Sequence, residues 1–122
     1  MLPLADPELL AQVVEYLPDA LVIVDREGAI VLVNRQTEMI FGYPRAALLG
    51  KPIETLLPAS LRERHREHFR GFAADPRVRP MGADLSLVGL NRADEEFPVA
   101  INLSPLVTSG GTFFAAVVRK RP

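Results

Sequence analysis

The chain has no cysteine and no tryptophan in 122 residues, and aromatics make up only 7% of it. Without cysteine there is no disulfide and no thiolate-held zinc or iron–sulfur cluster. Fourteen basic against 15 acidic residues leave a formal charge of −1. There is therefore no global attraction to nucleic acid or anionic lipid, and such binding would need a local patch. No strictly aliphatic run exceeds that at 20–24, which is far short of the ~20 residues of a membrane span. Near the N-terminus stand Asp6 and Glu8 rather than a basic segment followed by an apolar one, so no signal peptide is read. A cytoplasmic location without membrane insertion is expected. Nucleophilic catalysis also lacks its parts, because there is no Gly-x-Ser-x-Gly turn and both histidines fall in one short segment. Gly110-Gly111 reads as a hairpin turn, not a phosphate loop entering a helix.

What is present suits one globular domain, since 48% of the residues are hydrophobic. The stretch LVIVDREGAIVLVNRQTEMIFGYPRAALLGK at 21–51 is the most informative. Two short apolar runs, at 20–24 and 30–33, are rich in β-branched residues and predict strands. Between them Asp25-Arg26-Glu27-Gly28 has turn chemistry: Asp can bond nearby backbone and Gly accepts positive φ. Asn34 suits a helix N-cap, Gly42 a left-handed cap at that helix's end, and Pro44 a first helical position after it.

On either side the pattern continues. PELLAQVVEYL at 7–17 predicts an amphipathic helix with Leu9, Leu10, Val13, Val14 and Leu17 near one side. It is read either as a lid on the domain's own sheet or as a dimer contact. A long helix is predicted from Pro58 to Ala74, ended by Asp75-Pro76, followed by a loop at 77–82. Three strands should follow at about 83–91, 96–107 and 112–119, turning at Ser109-Gly110-Gly111. In the middle one Phe97, Val99, Ile101 and Leu103 share a face. The order predicts an α+β domain, a five-stranded antiparallel sheet with helices on one face. The domain proper spans 20–119 after a leading helix at 1–19, and 120–122 begins a linker.

The Asn-Arg…Phe-Gly-Tyr…Leu-Gly-Lys wording of 34–51, Leu56-Leu57-Pro58 opening a helix, and NRADEEFPVAINLS at 91–104 resemble the PAS family of sensory domains. The resemblance runs from about Leu9 to Arg119. It implies a PAS fold and a sensory, non-catalytic role in signal transduction. It implies a ligand or cofactor held between the sheet and the long helix, often a homodimer, and an attached effector. The effector expected is a histidine kinase of a two-component system, a cyclic-dinucleotide enzyme or a regulator. The alternative is a ligand-free dimerisation or protein-interaction domain. Lack of cysteine excludes the family's cysteine–flavin adducts and thioester-linked chromophores. Asp94-Glu95 replaces the usual Asp-Gly of a later hairpin, and positive φ at Glu95 would cost about 1 kcal/mol.

In LRERHREHFRGF at 61–72, Leu61, His65, Phe69 and Phe72 fall on one helical face. An imidazole directed into an apolar cavity can ligate haem iron through its neutral nitrogen. In the oxygen-sensing haem branch that this chain resembles, the proximal histidine follows a Leu/Met-Pro helix start by seven residues. His65 lies seven residues after Pro58 and 17 before Gly82, the spacing of that branch. His65 is therefore the candidate axial ligand. The position aligned with that branch's oxygen-binding arginine is Leu85, which donates no hydrogen bond and points to weak oxygen binding, or to CO or NO. No methionine stands where redox relatives place a second ligand, although Met81 is near. The alternative is a pocket-lining or partly exposed His65 that binds no metal. Expected pocket walls are Ile23, Met39, Leu61, His65, Phe69, Leu85, Ile101, Leu103 and Val117. Zinc held by His65 and His68 would want further ligands that the segment does not supply. Arg62, Arg64, Arg66 and Arg70 alternate with Glu63 and Glu67, as on a solvated face rather than a nucleic-acid patch.

Overall fold

Two apolar β-branched runs fold back on each other as β1 (Ala20–Val24) and β2 (Ile30–Val33), antiparallel, with a register shift between Ile23 and Val24. In this computed structural model residues 6–74, 79–81 and 87–122 are described, with side chains of 79–81 excepted. The turn follows its chemistry: Asp25 Oδ1 accepts from the N–H groups of Glu27 and Ala29, both at 3.0 Å, and Gly28 adopts φ 84°. Asn34 caps α2 (Arg35–Phe41) by accepting from Thr37 N–H, and Gly42 ends it at φ 76°. Pro44 stands one place earlier than expected, as the cap before α3 (Arg45–Leu48). A 3-10 turn (Ile53–Leu56) leads into α4 (Ala59–Ala74).

The sheet runs β2–β1–β6–β5, where β5 is Glu96–Thr108 and β6 is Gly111–Lys120. Two short strands share the far edge of β5. β3 (Arg79–Met81) pairs with positions 101–103 and β4 (Leu87–Leu90) with 96–99. The sheet thus has five strand positions, all pairings antiparallel, as the α+β reading expects. The expected loop at 77–82 contains β3; Pro80 is compatible with it because an edge strand can leave one amide unpaired. The expected start of the next strand, at 83–86, lies outside the described residues, as do Asp75 and Pro76.

Register fixes the sheet's two faces. Ala20, Val22 and Val24 lie opposite Val118, Ala116 and Phe114, which in turn continue to Ile101, Leu103 and Pro105 on β5. On that face Ala20, Val22, Val24, Phe97, Val99, Phe114 and Val118 are buried. Burying each of the larger side chains contributes roughly 1.5–3 kcal/mol. Phe114 is the centre of the packing: it meets Phe69 and Phe72 of α4 edge-on, at 5.5 and 5.1 Å. Aromatic edges carry positive charge and faces negative, so such crossings are favoured.

Positive φ in the β4–β5 turn falls on Asp94, at 62°, not on Glu95. Asp tolerates that region better than Glu because its short side chain competes well for local backbone. Neighbouring Asn91 Oδ1 anchors the turn by accepting from Ala93 and Glu95 N–H.

The leading helix α1 (Pro7–Glu15) is capped by Asp6 and buries no residue. Leu9, Leu10 and Val13 are exposed, and Val14 is half-buried. Its attachments are polar. Val14 carbonyl accepts from Asn34 Nδ2, and Glu15 pairs with Arg45 at 2.8 Å. Arg45 also bonds Glu38, and that side-chain hydrogen bond holds the Glu38 carboxyl below the usual carboxylate range.

Candidate functional site: the cleft under helix α4

Helix α4 covers the inner sheet face loosely. Of its 16 residues only Phe72 is buried. Phe69 and Ala73 are half-buried, as are Ile101 and Leu103 on β5, which lies between β6 and the short edge strands. A closely packed helix would close such positions completely. Phe69, Ile101 and Leu103 thus keep partial solvent access along an apolar cleft, and His65 stands beside it. The imidazole stacks on Phe69, centroids 6.4 Å apart, and its side chain is 31% exposed.

The orientation of His65 is set by a buried acid. Glu54, on the 3-10 turn, is 5% exposed, and its Oε2 lies 2.5 Å from His65 Nδ1. An ionised carboxylate has no hydrogen to give, so the facing Nδ1 carries it, and in the neutral tautomer of the ring Nε2 then keeps a lone pair. Among the described residues Nε2 has no hydrogen-bond partner. Arg66 Nε approaches the second Glu54 oxygen at 3.9 Å. Arg62 Nε donates to the carbonyls of Glu54 and Leu57 at 2.9 and 3.0 Å, tying the turn to α4. The sequence reading missed Glu54 altogether.

The other expected wall residues separate. Phe69, Ile101 and Leu103 stand on the cleft side; Leu61 is on α4 but 37% exposed. Val117 pairs with Leu21, and Ile23 with Ala115, so both belong to the outer face; Ala116 and Phe114 take the inward places. The run FFAAVV at 113–118 is apolar throughout, and no alternation announces which half turns inward. Met39 is 63% exposed on α2, beside a shallow groove that Arg92 also lines, and not in the cleft. Leu85 and Gly82 lie outside the described residues. His68 is exposed, and among the described residues no three His, Cys, Asp or Glu gather as a metal site.

Comparison with known proteins settles the family. The family model described as "PAS fold" matches residues 8–121. The chain belongs to the PAS family. This PAS domain is 32% identical over 102 residues to an uncharacterized protein of Azorhizobium caulinodans, covering 83% of the chain and 14% of that protein. It is 25% identical over 112 residues to the sensor protein FixL of Bradyrhizobium diazoefficiens, covering 90% of the chain and 22% of FixL. Against the oxygen sensor protein DosP of Escherichia coli it is 24% identical over 98 residues, covering 80% and 12%. The chain thus spans less than a quarter of each of these relatives. Among solved structures, the PAS domain of an HTR-like protein from Haloarcula marismortui superposes with TM-score 0.77 at 24% identity, covering 94% of this chain and 91% of that one. An RNA-binding light-oxygen-voltage receptor gives 0.81 at 19%, covering 98% and 35%. At those identities the structural likeness is one of fold.

A haem, which the resemblance implies, can be tested against this donor set. A metal-bound histidine commonly donates its other ring N–H to a carboxylate. His65 has that arrangement: Nδ1 on Glu54, Nε2 uncommitted, apolar side chains alongside. This donor set suits iron ligation through Nε2. Among the described residues no helix is long and apolar enough to cross a membrane.

Proposed function

We propose that this PAS domain is a haem-based gas sensor, with His65 as axial ligand. The observation that carries the reading is the Glu54–His65 contact beside the half-buried Phe69, Ile101 and Leu103. The spacing of Pro58 and His65, shared with the oxygen-sensing haem branch, and the similarity to an oxygen sensor protein support it. When bound, the haem would offer its iron to a diatomic gas. His65 would hold the group at Nε2, while Phe69 and the inner-face aliphatics exclude water from it. Leu85 has no hydrogen to donate to a bound gas, which favours CO or NO over oxygen. The domain itself performs no catalysis and reports occupancy to an effector in the same polypeptide, a histidine kinase or a cyclic-dinucleotide enzyme, in the cytoplasm.

The test is a haem titration followed by visible spectroscopy, with His65→Ala alongside. A Soret band at one haem per chain in the parent, displaced or lost in the variant, is expected. No band in the parent, or the same band in both, overturns the reading.

One observation favours self-association as well. The exposed Leu9, Leu10 and Val13 of α1 form an apolar stripe with no partner among the described residues. We infer a homodimer built on α1. This contact also serves the alternative in which the domain acts without ligand, as an interaction platform.

A further inference from the structure

We propose that Glu54 is a positioning residue for His65, fixing the imidazole's tautomer and strengthening its donation to iron. The inference rests on the haem reading above and deepens it. A carboxylate buried in an apolar surround is costly unless it is paired and hydrogen-bonded. Here the burial is provided for from one helix. Arg62 holds the Glu54 and Leu57 carbonyls, Arg66 approaches Oε1, and His65 Nδ1 meets Oε2. All three come from two neighbouring turns of α4, Arg62 from one and the adjacent His65 and Arg66 from the next, while Glu54 comes from the 3-10 turn that precedes it. The ring therefore cannot rotate about its χ angles without uncovering a buried anion. A helix support alone would be served by Arg62, whose two bonds go to backbone and ignore the Glu54 side chain. The carboxylate is directed at the imidazole instead. An anion on Nδ1–H pushes electron density to Nε2 and makes the ring a stronger ligand.

The test compares the parent with Glu54→Gln, which keeps an acceptor oxygen but removes the charge, and with Glu54→Ala, which removes both. Two quantities are read on haem-loaded protein: the rate of haem loss to apomyoglobin, and the iron–histidine stretching band of the ferrous form. Haem loss should accelerate about 10–100-fold in Glu54→Ala, with Glu54→Gln between. The stretching band should move to lower frequency in both variants. Thermal melts of the haem-free proteins serve as the control for folding. Variants that melt lower yet keep the parent's band and rate leave Glu54 a purely structural residue, which overturns the proposal while His65 ligation stands. A parent that takes up no haem, or holds it through another residue, overturns both.

Discussion

Replacing Asn34 with Ala should destabilise the domain more than any surface change. Asn34 is fully buried and makes contacts in three directions. Its Oδ1 accepts from Leu21 N–H at 2.9 Å and Thr37 N–H at 3.2 Å. Its Nδ2 donates to the carbonyls of Val14 at 2.9 Å and Asp19 at 3.1 Å. One side chain thus joins the end of α1, the start of β1 and the first turn of α2. Losing an N-cap costs about 1 kcal/mol. Leaving the buried Leu21 N–H without a partner costs roughly 1–3 kcal/mol more. The two carbonyls are only partly buried, so water can reach them and they add little. The sum is about 2–4 kcal/mol against a typical total of about 5–15 kcal/mol. For a chain of this size about 1 kcal/mol corresponds to ~4 °C, so a fall of roughly 8–16 °C in Tm is expected. Circular dichroism melts measure it. Asn34→Asp separates the two halves of the side chain: it keeps the acceptor bonds, that from the Thr37 hydroxyl included, but sets a carboxylate against two carbonyl oxygens. At neutral pH its loss should be at least as large as that of Ala. A fall below about 4 °C for Asn34→Ala would refute the accounting.

Three further outcomes follow from other parts of the fold. The depressed Glu38 carboxyl contributes stability that is fully present above the ordinary value of 4.5 and lost as pH falls below it through the folded-state value. Melts of Glu38→Gln should therefore lie below the parent at pH 7, and the gap should close in acid; a gap independent of pH contradicts the Arg45 pairing. Gly89→Ala would place a Cβ 3.1 Å from the rings of Phe41 and Phe97, and overpacking there should cost about 1–3 kcal/mol in urea unfolding, whereas a neutral result means that the ring pair yields freely. Leu9→Glu with Val13→Glu places charge on the α1 stripe, and light scattering should then give the mass of one chain where the parent gives two. An unchanged mass excludes α1 as the contact.

Local chemistry made much of the fold legible in the residues. Asp25, Gly28, Asn34 and Gly42 each act on backbone within a few positions, and each has the role its type suggests. The alternation of Phe97, Val99, Ile101 and Leu103 gave the inner face of β5 because that strand's other side is more polar. Where alternation fails, so does the reading: in FFAAVV nothing separates Val117 from Ala116, and pairing with β1 decides it. Met39 illustrates a second limit. Seven residues of α2 are too few for periodicity to say which side meets the core. Glu54 illustrates a third. A carboxylate between Ile53 and Thr55 looks like surface, and only the return of α4, 11 residues on, covers it with His65 and Arg66. The candidate ligand was legible because its spacing from Pro58 is local; its partner was not, because burial is a long-range property.

The central claim, that His65 holds a haem at Nε2, is most directly tested by removing the imidazole and returning it. His65→Gly, loaded with haem, should lose the parent's Soret band, and free imidazole added to the variant should restore it. A His65→Gly protein whose spectrum matches the parent before imidazole is added would contradict the account.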